Sequence, residues 1–410
     1  MANYSRKDFL KLAGLVSTSF LLPNFLRGNN KFANQLVNRL ALGTTNGKRL
    51  VVIQFSGGND GLNTIVPFAD DLYHSARPGL GLMDTEIIKI DQHMAFNSAL
   101  QGLADLHNDG HAALLNSVGY PNPNRSHFRS MDIWQTASDE DKFLASGWVG
   151  RWLDATCDPT NVKPHFALEI DDNLSLALKG EKIHGIAMQK PARLETILSD
   201  PLLQGIATEW SAHDDDHHNV EYLHKSLAEV NQSAGYLKEH LFKKKSTAIY
   251  PQHAFGNHMK LIAELILADC ETPIYYVSLP GFDTHAAQKD HQNKQLKVYA
   301  DSLKAFATDL KGAGMWNDTL VMTFSEFGRR VKQNASKGTD HGTANVMMFA
   351  GGSLLKKGLL NEAPDLSDLD NGDLKFKVDF RQVYATVLKN WLQADADIIL
   401  GQPFQTLDFI

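Results

Sequence analysis

The run Arg49-Leu50-Val51-Val52-Ile53-Gln54-Phe55-Ser56-Gly57-Gly58-Asn59-Asp60-Gly61 decides the fold. Its first half is apolar and rich in β-branched residues, and Gly57-Gly58 ends it, which reads as a short buried strand. An apolar run without alternation suits a strand covered by helices on both faces. Four similar runs follow, at Ala112–Val118, Ile274–Leu279, Thr319–Phe324 and Val346–Ala350. Between them, residues 97–108, 128–137, 258–270, 292–311 and 380–392 repeat apolar side chains at helical spacing. Strands alternating with helices predict an α/β protein of three layers, with a mainly parallel central sheet flanked by helices.

Open parallel sheets bind ligands beyond the carboxyl ends of their strands. The residues at those ends are therefore the informative ones. Asn59 and Asp60 follow the first strand, and Arg125-Ser126-His127 lies beyond the second. Asp283-Thr284-His285 follows the third, and Glu326-Phe327-Gly328-Arg329 the fourth, while Asp340-His341 lies just before the fifth. Any one of these reads alone as a cap or turn former. Together they place Asp60, Asp283, His285, Glu326 and His341 near one sheet edge as candidate metal ligands. Like charges gathered in one cleft need a cation to be tolerated. Carboxylates and imidazoles without thiolates suit zinc, manganese, magnesium or calcium. Asn59, Arg125, His127, Arg329 and Asp340 are candidate substrate contacts, and Arg129 is a further guanidinium for an oxyanion. Ser126 supports two readings. It is the N-cap of the helix starting near His127, or a nucleophile beside the metal, where a helix N-terminus favours negative charge.

The chain has 410 residues, 43% hydrophobic and 21% charged, an ordinary globular balance. Its formal net charge of -7 argues against a nucleic-acid binder. Cys157 and Cys270 are too few for a disulfide scaffold and read as two buried thiols. At the N-terminus, Ser5-Arg6-Lys7-Asp8-Phe9-Leu10-Lys11 precedes the apolar stretch Leu12–Leu26, the layout of an export signal. It resembles the twin-arginine pattern, with Lys7 in place of the second arginine. Residues 1–30 are thus expected to be an export segment, 31–48 a linker and 49–410 the α/β domain, with a helical insertion around 200–250. Within the insertion, His213-Asp214-Asp215-Asp216-His217-His218 reads as a solvated loop, since adjacent charges cannot all face one ion. No other stretch approaches the ~20 apolar residues of a membrane span.

Several segments, in order from residue 50 to the C-terminus, resemble the bacterial domain of unknown function 1501 family. They are Leu50 to Tyr73, Ser126-His127-Phe128, Gly147-Trp148-Val149-Gly150-Arg151, Phe282-Asp283-Thr284-His285, Ser325 to Arg330, Gly338 to Gly342 and Asp379 to Tyr384. That family is similar to the alkaline phosphatase and sulfatase superfamily. The resemblance implies an alkaline-phosphatase-like sheet with a two-metal site at its carboxyl edge, Ser126 as nucleophile, and Asp60, Asp283, His285, Glu326 and His341 as ligands. Phe327 stands where a histidine ligand is common, and the Asp283–His285 gap is shorter than usual. Two functions from different classes follow. One is an exported, periplasmic metal-dependent hydrolase of a small anionic phosphate or sulfate ester. The other is a non-catalytic exported binding protein that keeps the fold and a structural cation.

Overall fold

The computed structural model describes residues 47–157, 163–190, 199, 201, 232–241 and 243–410. The expected export segment, nearly all of the linker and most of the 200–250 insertion, including His213–His218, lie outside the described residues. The strands in chain order are β1 (Arg49–Ser56), β2 (Ile65–Val66), β3 (Ile87–Lys89), β4 (Ala95–Asn97), β5 (Ala112–Gly119), β6 (Ala167–Glu169) and β7 (Ile186–Ala187). They continue as β8 (Ile274–Pro280), β9 (Thr319–Ser325), β10 (Asn345–Gly351), β11 (Gly358–Leu359), β12 (Leu369–Asp370), β13 (Asp373–Leu374) and β14 (Val378–Asp379). Helices that cover them are α1 (Asp71–Ala76), α2 (Gln101–Asn108), α3 (His127–Thr136), α4 (Trp148–Thr156), α5 (Ala254–Leu267), α6 (Gln288–Gly312), α7 (Phe380–Thr386) and α8 (Ala396–Leu400).

Among the described residues, nine strands form one sheet in the order β11-β5-β10-β9-β1-β8-β6-β7, with β14 added beside β5. The runs expected as strands are its centre. The additions β6, β7, β11 and β14 span two or three residues each, too few to carry a periodic signal. β1 lies between β8 and β9 and is parallel to both. Its side chains alternate between two cores. Val51, Ile53 and Phe55 pack on one face with residues of α2, α5 and α6. Leu50 and Val52 pack on the other with residues of α3, α4, α7 and α8. This is the three-layer α/β arrangement expected from the alternation of patterns.

β10 departs from the parallel rule, running antiparallel to both β5 and β9. The start of β10 therefore lies at the same edge as the ends of β9 and β1. That direction delivers the segment before β10, with His341, to the carboxyl edge. Cys157 and Cys270 are buried free thiols. No helix among the described residues is long and apolar enough to cross a membrane.

Candidate metal centre

Two glycines shape the edge where β1 ends. Gly57 has φ +118°, and a Cβ there would sit 2.4 Å from the Asp283 backbone nitrogen. Gly58 has φ +73°, and a Cβ would sit 2.2 Å from Phe327 Cε2. Only glycine accepts both that backbone and that proximity. The loops after β1, β8 and β9 thereby pack directly on one another.

Arg329 fixes their arrangement. Its side chain is fully buried, and its guanidinium donates to the carbonyl oxygens of Gly57, Gly58, Phe282 and Thr339 and to Asp283 Oδ1. A guanidinium so saturated has nothing left for a substrate, so the structure corrects the expectation for Arg329. It is a strut that holds Asp283. Partial burial raises the Asp283 pKa, but the hydrogen bond and charge of Arg329, aided by His341 and His127, outweigh it and hold the carboxyl at about 2.

Three imidazoles meet this carboxylate. The Nε2 atoms of His285, His341 and His127 lie 3.1, 3.3 and 3.5 Å from Asp283 Oδ1, and those of His285 and His341 are 3.0 Å apart. His127, Asp283 and His341 each bring a ligand atom within 4.8 Å of the others. The opposite nitrogen of each ring faces oxygen. His127 Nδ1 donates to Glu326 Oε1 at 2.8 Å, His341 Nδ1 donates to the Arg125 carbonyl at 2.8 Å, and His285 Nδ1 lies 3.5 Å from Asp340 Oδ1. With protons on Nδ1 facing these acceptors, the Nε2 lone pairs turn toward one region, where Asp283 Oδ1 is the alternative acceptor for His341 Nε2 at 3.3 Å. His127 Nε2 is buried and has no hydrogen-bond partner. The spacings to Asp283 Oδ1 and between His285 and His341, 3.0–3.5 Å, are those expected between neighbours around a small ion with bonds of about 2.0–2.1 Å, and His127 lies within 4.8 Å of His341. The donor set thus fits a divalent cation.

Phe327 stands behind the imidazoles. Its ring centroid is 4.8 Å from those of both His127 and His341, so it walls the site instead of binding an ion. His127 was expected to contact substrate, and the geometry places it among the candidate ligands. Its pKa is raised, first by the hydrogen bond to Glu326, with the Glu326 and Asp283 charges adding to it against the opposing effect of burial. Burial lowers that of His341, and the nearby Arg329 and His127 charges add to it.

Two expected ligands stand elsewhere. Glu326 is fully buried, with Oε1 accepting from His127 and from the Gly57 backbone N–H, and Oε2 from Ser325. It lies behind His127, not beside Asp283. Asp60 faces Arg77 in a completely buried ion pair of 2.6 Å and also accepts from Gln288. Arg77 further donates to Asn63 Oδ1 and to the carbonyls of Arg330 and Val331. Asp60 Oδ1 is buried without a hydrogen-bond partner, but among the described residues no cluster of histidines or acids gathers round it as it does round Asp283. The expected convergence therefore holds Asp283, His285 and His341 together, adds His127, and leaves Asp60 apart.

Asn59 is also internal. It is buried, its backbone N–H donates to Ser325, and its side-chain oxygen accepts from Thr64 and Gln292. Asp340 is exposed and backs His285. Arg129 donates to the carbonyls of Asp139, Glu140 and Lys142, closing a loop. Ser126 sits at the N-cap of α3 with extended backbone, yet its hydroxyl makes no capping hydrogen bond. Both of its neighbours, Arg125 through its carbonyl and His127 through its ring, touch the centre. Arg77 and Asp373 carried no sequence signal as charged groups near the site, whereas Arg330 lies in the segment after the fourth strand that the sequence marks. The one available clue was Asn371-Gly372, a hairpin turn that brings Asp373 into the loop cluster.

A three-layer α/β fold with imidazoles and a carboxylate gathered at the carboxyl edge of its sheet defines an α/β protein with a candidate metal centre. The chain belongs to the family described as protein of unknown function (DUF1501), whose model matches residues 47–399. No match is found among the curated proteins. Similar solved structures include the lipoteichoic acid synthase LtaP from Listeria monocytogenes, at 10% identity and TM-score 0.37 over 86% of this chain and 76% of that one. The PsFucS1 sulfatase from Pseudoalteromonas sp. is similar at 11% identity and TM-score 0.40, over 92% and 74%. The alkaline phosphatase from the Antarctic bacterium TAB5 is similar at 11% identity and TM-score 0.30, over 76% and 94%.

Proposed function

We propose that this chain is an exported metal-dependent hydrolase of phosphate or sulfate esters, with one divalent cation held by His127, Asp283, His285 and His341. One observation carries the reading: three Nε2 atoms converge on Asp283 Oδ1 while each Nδ1 faces an oxygen acceptor. A carboxylate or carbonyl behind each metal-facing histidine is the usual way a protein fixes the tautomer and raises ligand basicity. The imidazole-rich set favours zinc over magnesium or calcium. A divalent cation there supplies charge to an ester oxyanion and favours attack on phosphorus or sulfur.

Ser126 is the attacking group. Its hydroxyl makes no cap bond, and the N-terminus of α3 favours charge developing beside it. Its Oγ bonds to phosphorus or sulfur, and the ester oxygen departs as an alcohol carrying the serine proton. Water then cleaves the seryl ester and returns a proton to Oγ. Glu326 keeps the His127 Nδ1 proton in place throughout.

The pairing of Asp60 with Arg77 favours a second reading, a non-catalytic exported binding protein with one structural cation, because it leaves one ion site where the resemblance implies two. Metal analysis of purified protein, joined to a screen of aryl phosphates and aryl sulfates, separates the two. The hydrolase reading expects one divalent ion per chain, lost in His127→Ala, and turnover of at least one ester. Protein that takes up no divalent ion sinks both readings of the site. Metal without turnover moves the binding protein ahead. Export is tested by fusing residues 1–45 to a reporter that requires the twin-arginine route; silence from both the native leader and Lys7→Arg rejects it.

A further inference from the structure

Arg329 is saturated, but its neighbour Arg330 is not. Arg330 Nε lies 3.3 Å from Asp373 Oδ1, and its Nη2 donates to the Asn371 carbonyl. Arg125 donates to Asp373 Oδ2. The Asp373 side chain is 0% exposed, whereas those of Arg125 and Arg330 are 44% and 40% exposed. One buried carboxylate thus faces two half-exposed guanidiniums, and the exposed Asp340 carboxylate, which feels the Arg330 charge, is the other acid beside them. Arg381 shows the contrast, since two carboxylates, Asp139 and Asp379, face its single charge.

A hairpin places Asp373. β12 and β13 pair antiparallel, and Asn371 and Gly372 between them have φ +51° and +86°. Positive φ at both central residues is the type I′ geometry that Asn-Gly favours. The arginines rise from backbone that supports the metal centre. The Arg125 carbonyl accepts from His341, and the Arg330 amide donates to the carbonyl of Asp340, the residue behind His285.

We propose that Arg125 and Arg330, held by Asp373, form an anion subsite at the rim of the metal centre. It takes the phosphate or sulfate oxygens of a second anionic group on the substrate. Both side chains engage Asp373 and not Asp283, so the oxyanion they hold is distinct from the ester at the imidazoles. Planar guanidinium forks match tetrahedral oxyanions in a bidentate manner, and partial exposure leaves them accessible. Asp373 is a positioning residue: its Oδ2 accepts from Arg125, its Oδ1 faces Arg330 through charge alone, and its burial keeps it from the ligand. That the bound group belongs to a substrate rests on the hydrolase reading; the anion binding does not.

Calorimetry of inorganic phosphate and of inorganic sulfate, with the full chain after chelator treatment, tests the subsite apart from the metal. Wild-type protein is expected to bind at least one of the two anions. The Arg125→Ala/Arg330→Ala double variant should weaken that binding at least tenfold, and Arg330→Lys should weaken it less. Lys304→Ala, which removes a half-exposed cation paired with Asp105 on another pair of helices, should leave anion affinity unchanged. Melting curves establish that each variant is folded, and the lysine variant keeps the test open if the double variant is not. Equal affinity in wild type and the folded double variant overturns the proposal, as does wild-type protein that binds neither anion. Metal uptake and Ser126-dependent turnover decide the hydrolase reading separately.

Discussion

Ser126 offers the sharpest test at the level of one residue. Ser126→Ala should abolish ester turnover by several orders of magnitude, with melting temperature and metal content nearly unchanged. Wild-type turnover in that variant eliminates the covalent route. Glu326→Gln probes a different role. Gln keeps the shape but weakens the hold on His127 Nδ1, so metal affinity should fall roughly 10–100-fold in chelator competition. A ligand carboxylate and a backing carboxylate differ here, because Glu326→Gln should still bind one ion at saturation. Arg77→Met tests the buried pair with Asp60: it strands a charge in the interior and should cost about 3–5 kcal/mol in denaturant unfolding. The double change with Asp60→Asn should recover part of that loss. These residues also differ in how legible they were. Asp283, His285 and His341 stand out because they flank strands strong enough to be recognised. Asp60 stands out equally, yet its partner Arg77 lies after a short helix in a segment without periodicity. A carboxylate's sequence position says which edge it occupies; only its neighbours say whether a guanidinium has already claimed it.

Elements carry the next layer of evidence. Gly57→Ala should lower melting temperature and metal occupancy together, since the left-handed backbone costs on the order of 1–3 kcal/mol and the new Cβ meets the Asp283 nitrogen. Gly312→Ala, at the end of α6 with nothing within 4 Å of the added carbon, should be tolerated. If both substitutions behave alike, the glycine pair is not what holds the loops together. The long strands β1, β5, β8, β9 and β10 were readable because each is a continuous apolar run buried on both faces. The direction of β10 was not. An apolar run has no polarity in its pattern, and pairing direction is decided by the connection before it. The short strands and the Asn371-Gly372 hairpin had the opposite problem, with a clear turn signal between segments too brief to score.

The whole molecule should show its ionisations in its stability. Burial raises the Glu169 carboxyl from 4.5 to about 7, so the folded state prefers the protonated form. Its contribution is complete below pH 4.5 and is lost as pH rises through 7. Burial lowers His165 from 6.5 to about 4, so the folded state prefers the neutral ring. That contribution is complete above pH 6.5 and is lost as pH falls through 4. Melting temperature should therefore decline on both sides of mildly acidic pH. Glu169→Gln should flatten the alkaline side between pH 5 and 8 and leave the acid side intact. An unchanged alkaline slope would show that Glu169 is not its source.

β9 and β10 are neighbours of opposite direction, and Arg329 bridges to His341 between them. The peptide from Glu326 to Ala344 consequently departs from and returns to one place. A parallel partner would have required a detour of a dozen or more residues along the far side of the sheet. No such detour separates Glu326, Arg329 and His341, which travel together on a single tethered ribbon. During divergence, that ribbon can be exchanged as one cassette. A recombination event confined to it would swap the brace, the strut and a candidate ligand ring at once, while the loop after β8 that carries Asp283 and His285 stays as it was.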